Sequence, residues 1–252
     1  MIKLSEIPTV PPKDTDRDEI EAKTEVLTSK LAELQHLLYA QGKYSVLVVL
    51  QGMDASGKDG ATRNVFGVCS PVGIDVTGFK KPTEEELAHD FLWRIHKHTP
   101  RRGMIQIFNR SHYEDVLIQR VNNWITEEHA LRRIESINAF EKLLQYDNDT
   151  LILKFYLHLS REEQEEELRE RFEEPDKHWK HNPNDWKEAA KWDEYMRCYE
   201  DLFARCEIPW HIIPVGKRWY RNYRIAKIVV EEMEKLDLQL PSLEPWSMED
   251  VD

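Results

Sequence analysis

Residues Gly52-Met-Asp-Ala-Ser-Gly-Lys58 form a G-x-x-x-x-G-K loop, and what flanks the loop constrains the fold. The β-branched apolar run Ser45-Val-Leu-Val-Val-Leu50 precedes it, and a polar, helix-compatible stretch starts at Asp59. A strand, a glycine loop and a helix in that order turn backbone N–H groups inward around an anion, and the lysine adds a point charge. Gly52, Met53, Ala55, Ser56, Gly57, Lys58, Asp59 and Gly60 are therefore candidate phosphate- or nucleotide-binding residues. The pattern alone could be a glycine-rich turn with an incidental lysine. The buried-strand pattern before it argues against that reading.

The loop departs from the common form in one place. Asp59 stands where a Ser or Thr normally follows the lysine and holds Mg²⁺, and a second carboxylate, Asp54, lies inside the loop. A carboxylate beside phosphates is repulsive unless a divalent cation lies between them, and Mg²⁺ prefers oxygen ligands. Asp54 thus reads as a metal ligand or a catalytic base, or else as a carboxylate accepting loop N–H bonds.

Apolar runs alternate with helical patterns along the chain. Ile20, Leu27, Leu31, Leu34, Leu37 and Leu38 give an amphipathic helix from Arg17 to about Ala40. Strands are expected at 74–79, 104–108, 151–157 and 210–213, with helices at 84–97, 111–122, 127–145 and 219–236. This alternation predicts an α/β fold with a parallel sheet and helices on both faces, and a ligand at the carboxyl ends of the strands. Residues 161–206 break the alternation. Two helices, Arg161–Glu173 and Asp185–Cys206, flank a polar loop and suit a lid, although an ordinary helical excursion would look the same. The expected organisation is an N-terminal arm (1–15), a phosphate-loop domain (16–240) with the candidate lid at about 161–206, and a C-terminal tail (241–252).

The formal net charge is −12, which disfavours generic nucleic-acid binding but not a polyanionic ligand, because local fields outweigh the total. Charge is segregated: residues 162–176 carry nine acids, whereas 217–227 carry Lys217, Arg218, Arg221, Arg224 and Lys227 with no acid. Lys80, Lys81, Arg94, Lys97, Arg101, Arg102 and Arg110 lie between 80 and 110. Each cluster could also be a solvated helix face. The three cysteines show no C-x-x-C spacing and read as reduced thiols of a cytoplasmic protein. No apolar run is long enough to span a membrane.

A second constellation follows the strand at 104–108: Asn109-Arg110-Ser111-His112-Tyr113-Glu114-Asp115. In phosphate-loop enzymes the neighbouring strand ends in an Asp that reaches Mg²⁺. Here Asn109 comes first and the acids follow one turn later. Arg110 can neutralise transferring oxygens, and Ser111 can be a helix cap. His112 and Tyr113 read as packing rather than catalysis.

Gly52–Gly60, Lys81-Pro-Thr83, Phe108–Asp115 and Pro175-Asp-Lys-His-Trp-Lys180, in this order and spacing, resemble the polyphosphate kinase 2 family over about residues 20–236. The resemblance implies a phosphate-loop kinase-like three-layer fold with an inserted helical lid, assembled as a homodimer or homotetramer. It also implies Mg²⁺-dependent transfer between inorganic polyphosphate and purine nucleotides. By the same resemblance, Asp54 is a metal ligand and activator, Lys58 the loop lysine and Arg110 the arginine of the second motif. Lys81 and Arg94 match basic residues near the phosphate channel, and Arg171, Lys177 and Lys180 match those of the lid. The chain departs from several branches at Asn109 and at Glu114-Asp115, and its form resembles the branch that accepts both mono- and diphosphates. Asp115 is favoured as the second metal ligand. The alternatives are an ATP-dependent nucleotide kinase of the same fold and a non-catalytic phosphate-binding module.

Overall fold

The computed structural model describes residues 2–242. Of the tail expected over 241–252, residues 243–252 lie outside the described residues. The elements run α1 (Arg17–Gln41), β1 (Ser45–Gln51), α2 (Lys58–Phe66), β2 (Ile74–Gly78), α3 (Glu84–Leu87), α4 (Trp93–His96), β3 (Ile105–Asn109), α5 (Glu114–Val121), α6 (Glu127–Asp147), β4 (Thr150–His158), α7 (Arg161–Glu173), α8 (Pro183–Ala189), α9 (Trp192–Arg205), β5 (Trp210–Pro214) and α10 (Arg218–Met233). Short 3₁₀ helices cover Leu4–Glu6 and Pro175–Lys180.

All strand pairings are parallel and the order is β2-β3-β1-β4-β5. β1 is buried along its whole length, as the central strand of a sheet covered on both faces must be. Its alternate side chains feed two cores. Leu47 and Val49 pack with Phe108, Ile134, Phe140, Tyr156, Leu202 and Trp210, towards α6 and α9. Val46, Val48 and Leu50 pack with Leu31, Leu34, Leu38, Ala61, Ile225, Val229 and Met233 of α1, α2 and α10. The period of two in strand side chains creates this division. Burying each Val, Leu, Ile, Phe or Met among them contributes roughly 1.5–3 kcal/mol.

From β1 the chain leaves for β2 and β3 on one side, then crosses to β4 and β5 on the other. The crevice between the carboxyl ends of β1 and β3 is the topological switch point, where such sheets bind ligands.

Local chemistry shifts several expected boundaries. The helix expected over 84–97 is two short ones, because Asp90 turns the chain: its Oδ1 accepts from Leu92 N–H at 3.0 Å and its carbonyl from Trp93 N–H at 3.0 Å. The helix expected over 111–122 starts only at Glu114. The second helix of the 161–206 excursion is split into α8 and α9 around Ala190 and Lys191. The N-terminal arm is laid against the body. Leu4 is buried and its N–H donates to Glu200 Oε1 at 2.7 Å, while Gly216 N–H donates to the Thr9 carbonyl at 2.9 Å.

Candidate active site

The loop after β1 is shaped by two glycines. Gly52 (φ 153°) sits where a Cβ would lie 2.8 Å from the Leu157 carbonyl and from Ser56 Oγ. Gly57 (φ 85°) is the N-cap of α2, in left-handed backbone, and the guanidinium of Arg221 fills the space a Cβ would take. Ala55 is also left-handed, at φ 70°. The loop thus closes on the N-terminus of α2, whose unpaired N–H groups and dipole favour an anion.

Lys58 is buried. Its Nζ donates to the carbonyls of Gly52 (2.8 Å) and Met53 (3.0 Å) and to Ser56 Oγ (3.4 Å). Burial, and then the neighbouring Arg110, lower its pKa to about 8, against the raising pull of Asp54. Asp54 forms an ion pair with Arg110, which also lies 3.8 Å from Glu114. Arg110 follows β3 with φ 60°, and its N–H donates to the Leu50 carbonyl at 3.0 Å. The ends of β1 and β3 thereby bring an acid and a base face to face. Asn109 Nδ2 donates to Asp59 Oδ1 at 2.6 Å, tying β3 to the first turn of α2.

These groups open into a cleft of about 890 Å³, whose far wall is the helical excursion. Arg171 on α7 donates to Asp185 Oδ2 on α8 at 3.0 Å. Burial, and then Asp54, raise the Asp185 pKa, offset in part by Arg171 and Arg110. Lys177 is held by Glu170 and Glu174, each at 2.6 Å. Lysines and arginines outnumber acids among the lining residues, ten to seven, in a chain of net charge −12. The cleft therefore concentrates positive charge that the rest of the molecule lacks.

Of the expected site residues, Asp54, Ala55, Ser56, Gly57, Lys58, Asp59, Gly60, Lys81, Asn109, Arg110, Arg171, Lys177 and Lys180 line this cleft. Gly52 and Met53 are buried and do not line it. Asp115 and Arg94 do not line it. They are buried against each other, with Arg94 Nη2 2.9 Å from Asp115 Oδ2, and Arg94 Nη1 donates to the Lys80 carbonyl at 2.9 Å. Successive helical residues are rotated by about 100°, so Asp115 and Glu114 face different ways. Glu114 does not line the cleft either, but it meets the end of β1, where Gln51 Nε2 donates to its Oε1 at 2.9 Å.

Arg221 and Arg218, visible in the sequence only as members of a basic cluster, and Asp185 and Gln164, which no motif singled out, also belong to the site's surroundings. Arg221 Nη1 reaches the Gly57 carbonyl at 3.2 Å, and burial followed by the nearby Arg218 lowers its pKa to about 10. The acid-free run 217–227 was the available signal. Gln164 Nε2 donates to the Asp54 carbonyl at 3.0 Å and ties α7 to the loop.

The residues 14–241 match the family model "Polyphosphate kinase 2 (PPK2)". The chain belongs to the polyphosphate kinase 2 family. It is 47% identical over 225 residues to an AMP/ADP-polyphosphate phosphotransferase of Meiothermus ruber, covering 88% of this chain and 84% of that protein. It is 38% identical over 231 residues to an ADP-polyphosphate phosphotransferase of Rhodopseudomonas palustris, covering 86% and 80%. The crystal structure of polyphosphate kinase 2 from Arthrobacter aurescens TC1 superposes with a TM-score of 0.93 at 37% identity, over 99% of this chain and 91% of that one. The fold is thus the phosphate-loop kinase-like α/β arrangement of the polyphosphate kinase 2 proteins. No helix among the described residues is long and apolar enough to cross a membrane.

The donor set suits the Mg²⁺ that kinase chemistry implies. Asp54 offers a hard carboxylate oxygen at the loop. Among the described residues no three His, Cys, Asp or Glu side chains gather into a complete cage. Mg²⁺ binds typically through one or two carboxylates, with phosphate and water completing its shell.

Proposed function

We propose that this protein transfers a phosphoryl group between inorganic polyphosphate and a nucleoside mono- or diphosphate, with AMP and ADP both as acceptors. The observation that carries the reading is the Asp54–Arg110 pair at the mouth of the glycine loop, continued by Lys81, Arg171, Lys177, Lys180 and Arg218 along one cleft. A single nucleotide needs fewer cations than this, and an extended phosphate chain uses them.

Phosphoryl transfer asks little covalent chemistry of the protein, so catalysis is positioning and charge neutralisation. Loop N–H groups and Lys58 cradle the nucleotide phosphates. Arg110, at the tip of β3, faces the equatorial oxygens of the group in flight. The segment 161–206 acts as a lid that brings Arg171 to the same oxygens and excludes water. Asp54, with Asp115 or Glu114 as a second carboxylate, would hold Mg²⁺, which would supply neutralisation of the phosphate charge. Of the two, Glu114 lies nearer the loop, and the Arg94 pairing occupies Asp115. The protein works in the cytoplasm as a homodimer or homotetramer and uses neither nucleic acid nor membrane as a partner.

The test is a donor comparison on the purified protein: AMP or ADP with polyphosphate and Mg²⁺, against AMP with ATP. The reading requires polyphosphate to be the better donor. Efficient transfer from ATP with none from polyphosphate would make the protein an ordinary nucleotide kinase, and binding without transfer from either would make it a phosphate-binding module.

A further inference from the structure

One buried cluster lies outside the cleft and has no part in the chemistry above. Glu141 on α6 accepts from the Tyr113 hydroxyl and from Lys154 Nζ, each at 2.7 Å, and His112 Nε2 lies 3.3 Å from it. Lys154 Nζ also donates to the Tyr113 hydroxyl at 2.7 Å. All four side chains are fully buried. Burial alone would raise the Glu141 pKa, but the His112 bond and Lys154 hold it below the usual carboxylate value. Lys154 sits inside β4, opposite Val49 of β1, between Leu153 and Phe155, and no other residue of the strand is Lys, Arg, Asp or Glu.

Such a pair is an unlikely choice for stability. Desolvating two charges is expensive, and apolar side chains of similar volume often replace a buried ion pair without loss. What the cluster does contact is the turn that carries Arg110. Arg110 is left-handed, a conformation that persists in a non-glycine residue only when its surroundings over-determine it. One side of the turn is tied to β1: Ser111 Oγ donates to Gln51 Oε1 at 3.2 Å, and Gln51 Nε2 holds Glu114. The other side is tied through His112 and Tyr113 to Glu141 and Lys154.

We propose that the buried Glu141–Lys154 pair is a positioning device for phosphoryl transfer, clamping Tyr113 and His112 so that Arg110 is held against Asp54 in the cleft. This rests on the cleft being a phosphotransfer site. The pair touches neither nucleotide nor phosphate and acts only through Arg110.

A double-mutant cycle tests it. Glu141→Leu/Lys154→Met removes both charges together, and Arg110→Ala is made alone and in that background, with melting temperature, kcat and nucleotide KM measured for each. In the Leu/Met variant the melting temperature should stay within a few degrees of wild type. Its kcat should fall about tenfold or more, while KM changes less than about threefold. Arg110→Ala should then cost much less in that background than in wild type, because a misplaced arginine has less to lose. Wild-type kcat in a stable Leu/Met variant, or costs that multiply independently, would overturn the proposal. If the Leu/Met variant does not fold, Tyr113→Phe decides in the same cycle: it removes only the bridging hydroxyl, and unchanged kcat there is equally contradictory. A wild-type protein that transfers nothing from polyphosphate would instead contradict the proposed function.

Discussion

Arg171 on α7 donates to Asp185 on α8 at 3.0 Å, so this arginine of the helical excursion meets the cleft already partnered by an acid of the same excursion. An arginine that must exchange a carboxylate for phosphate oxygens contributes late, as charge builds on the transferring group. We expect Arg171→Ala to lower kcat by about 10²-fold, with less than about threefold change in nucleotide KM. Asp185→Asn, which leaves the cation in place, should cost about tenfold or less. Steady-state kinetics on both variants decide this. Weaker nucleotide affinity at unchanged kcat would make Arg171 a docking residue.

Lys58 gives the site a pH dependence of known sign. Its folded pKa lies at about 8, below the ordinary lysine value of 10.5, chiefly through burial. The cation is therefore present below about pH 8 and lost as pH rises through that value. kcat/KM, which reports the free enzyme, should fall above about pH 8. Bound phosphates favour the charged form, so kcat should hold to higher pH. For stability the sign is opposite: the desolvation cost is fully present below about pH 8 and is relieved as pH rises towards 10.5. Lys58→Ala should remove the kcat/KM limb along with most activity. A kcat/KM profile flat from pH 7 to 9.5 in the wild type would contradict this assignment.

The glycine loop and its strand–loop–helix setting were legible in the sequence because short-range geometry dictates them. So was the α/β alternation, since β1 alternates its side chains between two cores. Asp90 was less visible: a single side-chain-to-backbone bond outweighed a helical pattern. Arg221 could be seen only as a member of a basic run, because its contact with Gly57 spans 164 residues. Asp115 was favoured as a ligand because it is an acid one turn past β3, and its partner Arg94 comes from α4, beyond the reach of local spacing. Lys154 did leave a trace, as a lone charge inside a mostly apolar strand. Its partner Glu141 lies on a helix rich in surface acids and could not be told apart from them.

Glu114 bears on acceptor choice. It accepts from Gln51 at 2.9 Å and lies 3.8 Å from Arg110, so its carboxylate sits beside the end of β1 and the arginine that the proposed transfer uses. Glu114→Asn should change the ratio of AMP to ADP use by about threefold or more without abolishing transfer, equivalent to at least ~0.6 kcal/mol between the two acceptors. If Glu114 only complements the N-terminus of α5, worth ~0.3–1 kcal/mol, the melting temperature falls and the ratio stays put. Both rates and the melting temperature on one preparation separate the outcomes.

Asp54 carries the central claim, because it is the acid at the loop, paired with Arg110, that the proposed transfer cannot do without. The most direct measurement is ³¹P NMR of AMP, polyphosphate and Mg²⁺ incubated with wild-type protein or with Asp54→Asn, beside a melting curve of each. The account predicts that the wild type generates the β- and γ-phosphate resonances of ADP and ATP at the expense of polyphosphate ends. Asp54→Asn should melt within a few degrees of wild type and generate neither. Near-normal turnover by Asp54→Asn at saturating Mg²⁺, or a wild type that leaves polyphosphate intact, would contradict it.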